Sequence, residues 1–108
     1  MIEIKTQKKD GYDLLVLKGE IDASNSVVLD QAIQKLVLEG SKSILVDGQE
    51  LDYISSAGLG VFMSYLEDFQ EKDIQFRIVS LTPRVLEVFK ILGLDQLIQI
   101  LPDKSSII

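Results

Sequence analysis

A small α/β layer sandwich is the fold this sequence predicts, and three observations predict it. Hydrophobic periodicity switches back and forth along the chain between the two-residue repeat of strands and the 3.6-residue repeat of helices. The helical stretches are introduced by cap residues, and two of them end at glycine. The 108 residues, 46% hydrophobic and 26% charged, suit one domain (1–108) whose core needs no disulfide or metal to hold it.

The elements follow in order. Ile2, Ile4 and Thr6 alternate with Glu3, Lys5 and Gln7, the pattern of a half-buried strand. Lys9-Asp10-Gly11 signals a turn, and Tyr12 to Leu17 reads as the second strand of an antiparallel hairpin. Ser24, Asn25 and Ser26 offer N-cap oxygens to a helix whose apolar face is Val28, Leu29, Ala32, Ile33, Leu36 and Val37, with Gly40 as its stop. Ser43 to Val46 is a continuous apolar run ending at Asp47, as in a strand buried on both faces. A second helix is expected from about Ala57 to Glu71, then a strand from Ile74 to Val79. Thr82-Pro83, a cap followed by proline at the first helical position, opens a third helix through Leu92, stopped by Gly93. Leu97 to Leu101 is a final short strand or helical end. Helices between successive strands imply right-handed crossovers and a mostly parallel sheet of about four to five strands, with three to four helices.

Composition narrows the chemistry. The chain has no histidine and no cysteine. Imidazole bases, Ser-His or Cys-His nucleophile pairs and the usual zinc sites are therefore outside its means. The absence of cysteine also fits a reducing compartment. A net charge of −6 repels phosphate backbones and anionic lipid, so neither nucleic acid nor a membrane surface is an expected partner. The N-terminus enters a strand pattern directly, and the longest uncharged stretch, Tyr53 to Leu66, carries three Ser and two Gly. Neither a targeting peptide nor a membrane span is expected, and the location expected is the cytoplasm.

The segment Asp47 to Gly60 joins a buried strand to a helix, at the end of the sheet where α/β folds usually place their sites. Ser55 and Ser56 lie where the helix should begin. One of them is either a plain N-cap or a hydroxyl open to modification, and an anion there gains from the helix dipole. Gly58 and Gly60 each weaken the first turn by roughly 1 kcal/mol relative to alanine. Either internal helix–sheet packing or the close approach of something external accounts for them. The stretch lacks the third glycine of a dinucleotide fingerprint, and no Gly-Lys-Ser/Thr phosphate loop exists. A receiver-type phospho-aspartate at Asp47 lacks its acidic pair and its lysine. Along the second helix, Leu59, Phe62, Met63, Leu66 and Phe69 make the expected buried stripe. Val61 and Tyr65 fall outside it, with Ala57, Ser64 and Asp68 nearby, as an apolar outer face beside Ser56.

Three separated segments resemble the STAS domain of bacterial anti-sigma factor antagonists. They are Gly19-Glu-Ile-Asp22, Tyr53-Ile-Ser-Ser-Ala-Gly-Leu-Gly60, and the third-helix stretch from Ser80 to Leu94 with its Pro and Gly-Leu ending. The resemblance implies a STAS-like layer sandwich, a binding switch in place of an enzyme, and no cofactor or metal. Unphosphorylated members bind an anti-sigma factor that is also a serine kinase, which releases a sigma factor. The kinase then phosphorylates a serine at the start of the second helix, and a PP2C-like phosphatase reverses it. The matching position is Ser56, with Ser55 as second choice. The partner surface implied comprises Gly19, Glu20, Asp22, Ser55, Ala57, Gly58, Leu59 and Gly60, joined by Val61 and Tyr65 from the helical pattern. Many antagonists carry Asp where this chain has Ser55, and often an apolar residue where it has Gly48. The first departure keeps open a second role: a STAS module that does not switch, within a stress-sensing or transport assembly.

Overall fold

The computed structural model describes residues 1–103. The elements are β1 (Ile2–Lys9), β2 (Tyr12–Ile21), α1 (Ser26–Leu38), β3 (Ser43–Ile54), α2 (Ser56–Lys72), β4 (Gln75–Val79), α3 (Pro83–Ile91), a 3-10 turn (Leu94–Gln96) and β5 (Gln99–Leu101). The five strands lie in sequence order, β1-β2-β3-β4-β5. β1 and β2 are antiparallel, and the remaining neighbours are parallel. The expected mixed sheet, opening hairpin and three helices are all present.

Alternation assigns the apolar runs to two faces. Leu15, Leu17, Ile44, Val46 and Ile78 join Leu29, Ile33, Leu59, Phe62, Phe69, Val85 and Phe89 of the helices in the main core. Leu14, Leu45 and Val79, one residue out of phase, form a smaller cluster with Tyr12, Val16 and Leu101. Phe62 is the hub of the helical layer, its ring centroid 5.7 Å from that of Phe76 and 5.8 Å from that of Phe89. Thr82 caps α3 by accepting from the Val85 N–H at 3.3 Å, as its sequence predicts.

Two expectations about strand length need correcting. β2 continues to Ile21 instead of ending at Leu17, and β3 continues to Ile54 instead of ending at Val46. Their register shifts twice, between Val16 and Lys18 and between Gly19 and Glu20. β3 thereby gains two residues over β2, a bulged pairing that bends the strand. In this half Leu51 and Ile54 are buried while Gln49, Glu50, Asp52 and Tyr53 are exposed. The bulges convert the period of two into a period of three, which is why the segment reads as a loop. Gly19 lies at φ 110°, and a Cβ there would collide with the Met1 carbonyl oxygen, so glycine is required where β1 and β2 meet. Gly48 leaves room for Leu81, whose Cδ2 would lie 2.5 Å from an added Cβ.

The capping of α1 also differs from expectation. Asn25 is its N-cap residue, but its side chain makes no cap bond to the helix. It reaches backward, accepting from the Asp22 N–H at 2.8 Å and donating to the Glu20 carbonyl at 3.0 Å.

Candidate functional site

β4 pairs with β3 only over Ser43–Asp47, so the far halves of β2 and β3 project beyond it as a two-stranded extension. At its tip the Ser55 N–H donates to the Ile21 carbonyl at 2.9 Å. The chain that leaves β2 turns through Asp22 into α1, and the chain that leaves β3 turns through Ser55 into α2. Two helix N-termini thus begin side by side, each presenting the positive end of its dipole.

The two serines divide the available roles. Ser55 is half-buried and in extended backbone, and its hydroxyl accepts from the Gly58 N–H at 3.3 Å, so Ser55 is the N-cap of α2. Ser56 is the first helical residue and is exposed. Among the described residues its hydroxyl has no hydrogen-bond partner. Serine and aspartate cap equally well. A serine at position 55, where the resemblance leads one to expect Asp, therefore keeps the cap and places no carboxylate beside Ser56.

The two glycines divide in the same way. A Cβ on Gly58 would stand 2.7 Å from both Ile21 Cγ2 and Ile54 Cγ1, so that glycine serves the contact between α2 and the strand tips. A Cβ on Gly60 would meet nothing within 4 Å. Internal packing gives no reason for Gly60 to be bare.

Asp22 organises the neighbouring turn. Its Oδ1 accepts from the Ser24 N–H at 2.9 Å, the Ser24 hydroxyl at 2.6 Å and the Asn25 N–H at 3.2 Å. These bonds, that of the Ser24 hydroxyl foremost, hold its carboxyl below the ordinary 3.8, with a weaker pull from the Met1 ammonium. Glu20 and Asp52 are exposed on the strands behind it. The described stretch between Asp47 and Asp68 has no Lys or Arg.

Helix α2 rotates several expected site residues out of position. Gly58 is buried and Leu59 is 1% exposed, so they shape the surface from beneath and do not form part of it. Val61 and Tyr65 are half-buried against the main core and form no outer face. The Tyr65 hydroxyl hydrogen-bonds Asp30 of α1, at 2.7 Å to Oδ1 and 3.1 Å to the carbonyl oxygen. Burial first, and the Asp30 carboxylate second, keep that phenol protonated well above its ordinary value of 10. Met63, expected in the buried stripe, is instead 50% exposed. It lies three residues beyond Gly60 and seven beyond Ser56, on the same face of the helix. Tyr53, 48% exposed, stands on the adjoining strand tip. Gly19, Glu20, Asp22, Ser55, Ser56, Ala57 and Gly60 do gather at this end of the sheet. Sequence reasoning misses Met63 because an apolar residue at helical spacing carries no mark of which side the neighbouring helices cover, and Tyr53 because the bulged pairing of β3 hides its outward register.

Among the described residues no helix is long and apolar enough to cross a membrane, and no cluster of acidic residues could hold a metal ion.

Comparisons with known proteins agree over nearly the whole chain. A sequence model of the STAS domain matches residues 3–106. The anti-sigma-B factor antagonist of Listeria monocytogenes is 30% identical over 99 residues, spanning 92% of this chain and 86% of that protein. A solved anti-sigma factor antagonist from Mycobacterium paratuberculosis has the same fold, with a TM-score of 0.86 at 23% identity over 98% of this chain and 90% of that one. So does the anti-sigma factor antagonist SpoIIAA in its unphosphorylated form, with a TM-score of 0.80 at 17% identity over 97% and 93% of the two chains.

Proposed function

This chain belongs to the STAS domain family, and on that premise we propose that it is an anti-sigma factor antagonist switched by phosphorylation of Ser56. Unphosphorylated, it binds an anti-sigma factor that is also a serine kinase, and a sigma factor is released. Phosphorylated, it loses that partner until a PP2C-like phosphatase restores the hydroxyl.

One observation carries the reading. Of two adjacent serines, Ser55 is committed to capping, while Ser56 is exposed at the first position of a 17-residue helix. A phosphate adds about −1.5 to −2 charges there. The helix N-terminus tolerates that charge, so the fold persists. In an interface the same charge keeps its water and meets the carboxylates of Glu20, Asp22 and Asp52, so the partner is repelled. Gly60, one turn along and open to solvent, lets a partner approach the helix backbone. Ser56, Gly60 and Met63, with Tyr53, Glu20 and Asp22 around them, form the contact surface under this reading.

Intact-mass spectrometry after incubation with the cognate kinase and ATP tests it. One phosphate is expected on wild type and none on Ser56→Ala, which should keep binding and stay on. Ser56→Asp should bind more weakly. Phosphate found on Ser55 would overturn the assignment. A chain left unmodified while held in a stable complex would favour the non-switching scaffold.

A further inference from the structure

The two edges of the sheet are built differently. β5 is three residues long, whereas β1 is eight, pairs with β2 without a register shift and contains no proline. Among the described residues no strand lies on the outer side of β1. An edge of that length is a template for another chain unless something blocks it.

Its backbone geometry fixes what can pair. The Glu20 N–H donates to the Met1 carbonyl at 2.9 Å, one step beyond the Ile2–Gly19 pair of the same register. In an antiparallel ladder the hydrogen-bonding residues alternate. Glu3, Lys5 and Gln7 therefore turn their N–H and C=O groups toward β2, and Ile2, Ile4, Thr6 and Lys8 turn theirs outward. A two-fold axis through Ile4 sets Ile4 against its own copy and Ile2 against Thr6, both as hydrogen-bonded pairs. Glu3 then stands opposite Lys5 of the second copy, twice, in the closely spaced positions between them. Moving the axis by one residue sets Glu3 against Glu3 or Lys5 against Lys5. Only like charges result.

The helical side of this edge is apolar. Ile2 and Ile4 are half-buried there, and Ala32 of α1 packs against the same core. Lys35 and Glu39 of α1 border a cleft shared with Thr6, Gln7 and Lys8, so that side of the helix adjoins β1. Val28, 41% exposed, and Ala32 share the side at helical spacing.

We propose that β1 is a homodimer interface, joining two copies antiparallel into one continuous sheet centred on Ile4. Charge complementarity of the edge with itself selects a second copy of this chain as the occupant. The Ser56 ends of the two copies then face opposite ways, and both remain open. This assembly is independent of the switching role.

Sedimentation of the full chain from micromolar to near-millimolar concentration tests it, with circular dichroism confirming that each variant folds. Wild type should show a concentration-dependent monomer–dimer equilibrium. Glu3→Lys and Lys5→Glu, singly, should each weaken the dimer roughly tenfold or more, and the double swap should restore it. Thr6→Pro, whose lost N–H points away from β2, should abolish dimerisation and leave the monomer folded. Wild type that stays monomeric throughout overturns the proposal, as does a double swap no better than the singles. Rescue of Glu3→Lys by Lys9→Glu would overturn the axis at Ile4 in favour of one at Thr6.

Discussion

Gly58 and Gly60 are two residues apart in one helical turn, and a methyl group added to each would meet opposite circumstances. At Gly58 it meets Ile21 and Ile54 at 2.7 Å, and at Gly60 it meets nothing. The inner face of α2 is fixed by this chain's own packing. The outer face, with Ser56, Gly60 and Met63, makes no such internal contact at Gly60 and is the contact surface under the proposed function. Gly60 costs helix propensity without an internal packing role, which fits the proposed contact surface. Changes on the two faces should therefore separate stability from binding.

The largest separation is expected at Phe62 and Met63. Phe62 is 1% exposed among Phe76 and Phe89, and truncation to alanine should lower stability by about 3–5 kcal/mol. Met63→Ala should leave the thermal midpoint nearly unchanged while weakening the anti-sigma factor complex. Calorimetry and a binding isotherm on both variants would read this out, and equal loss of binding in the two would erase the distinction between faces. The glycines sharpen it through opposite signs. Gly58→Ala should overpack the strand tips by about 1–3 kcal/mol, outweighing the gain in helix propensity. Gly60→Ala should stabilise the domain by up to about 1 kcal/mol and yet bind less well.

How the sequence displays these faces depends on what sets each residue's position. The hairpin, the both-face-buried runs, the Thr82-Pro83 cap and the stop at Gly40 are local, and their signals survive in one dimension. Ser55 and Ser56 are legible at the start of α2 for the same reason, though only the structure separates the capping Ser55 from the exposed Ser56. The far half of β3 was not legible, because two bulges erase its alternation. The end of α2 carries no glycine; Asp73 takes the left-handed conformation there at φ 58°. Spacing alone misplaces Val61, Met63 and Tyr65 because it ranks residues by angle and does not say where a neighbouring helix lies. α1 covers the Tyr65 side, and Met63 is left outside.

That rotation yields a smaller prediction. Tyr65 ties α2 to α1 through Asp30, so Tyr65→Phe should cost about 0.5–1.5 kcal/mol, the worth of one hydrogen bond, with binding unchanged. A loss of affinity at constant stability would return Tyr65 to the contact surface.

The smallest effect expected contrasts the two ends of the sheet by pH. Asp22, at the Ser56 end, is held below 3.8 mainly by the Ser24 hydroxyl. Asp13, at the opposite end, is buried, which opposes its ionisation, but the Ser41 hydroxyl and Lys8, 3.0 Å away, outweigh burial and lower it too. A carboxyl depressed on folding adds stability above its unfolded value, and that contribution is lost as pH falls through the folded value. Both contributions should therefore be complete above about pH 4 and decline below it. Asp13→Asn should flatten the acid limb of the thermal midpoint more than Asp22→Asn, because the Asp13 carboxylate is itself buried while the Asp22 turn is open to water. The turn is the cheaper of the two to disturb, as suits a segment beside the proposed contact surface. A larger flattening from Asp22→Asn would reverse that order and make the Ser56 end the more rigid one.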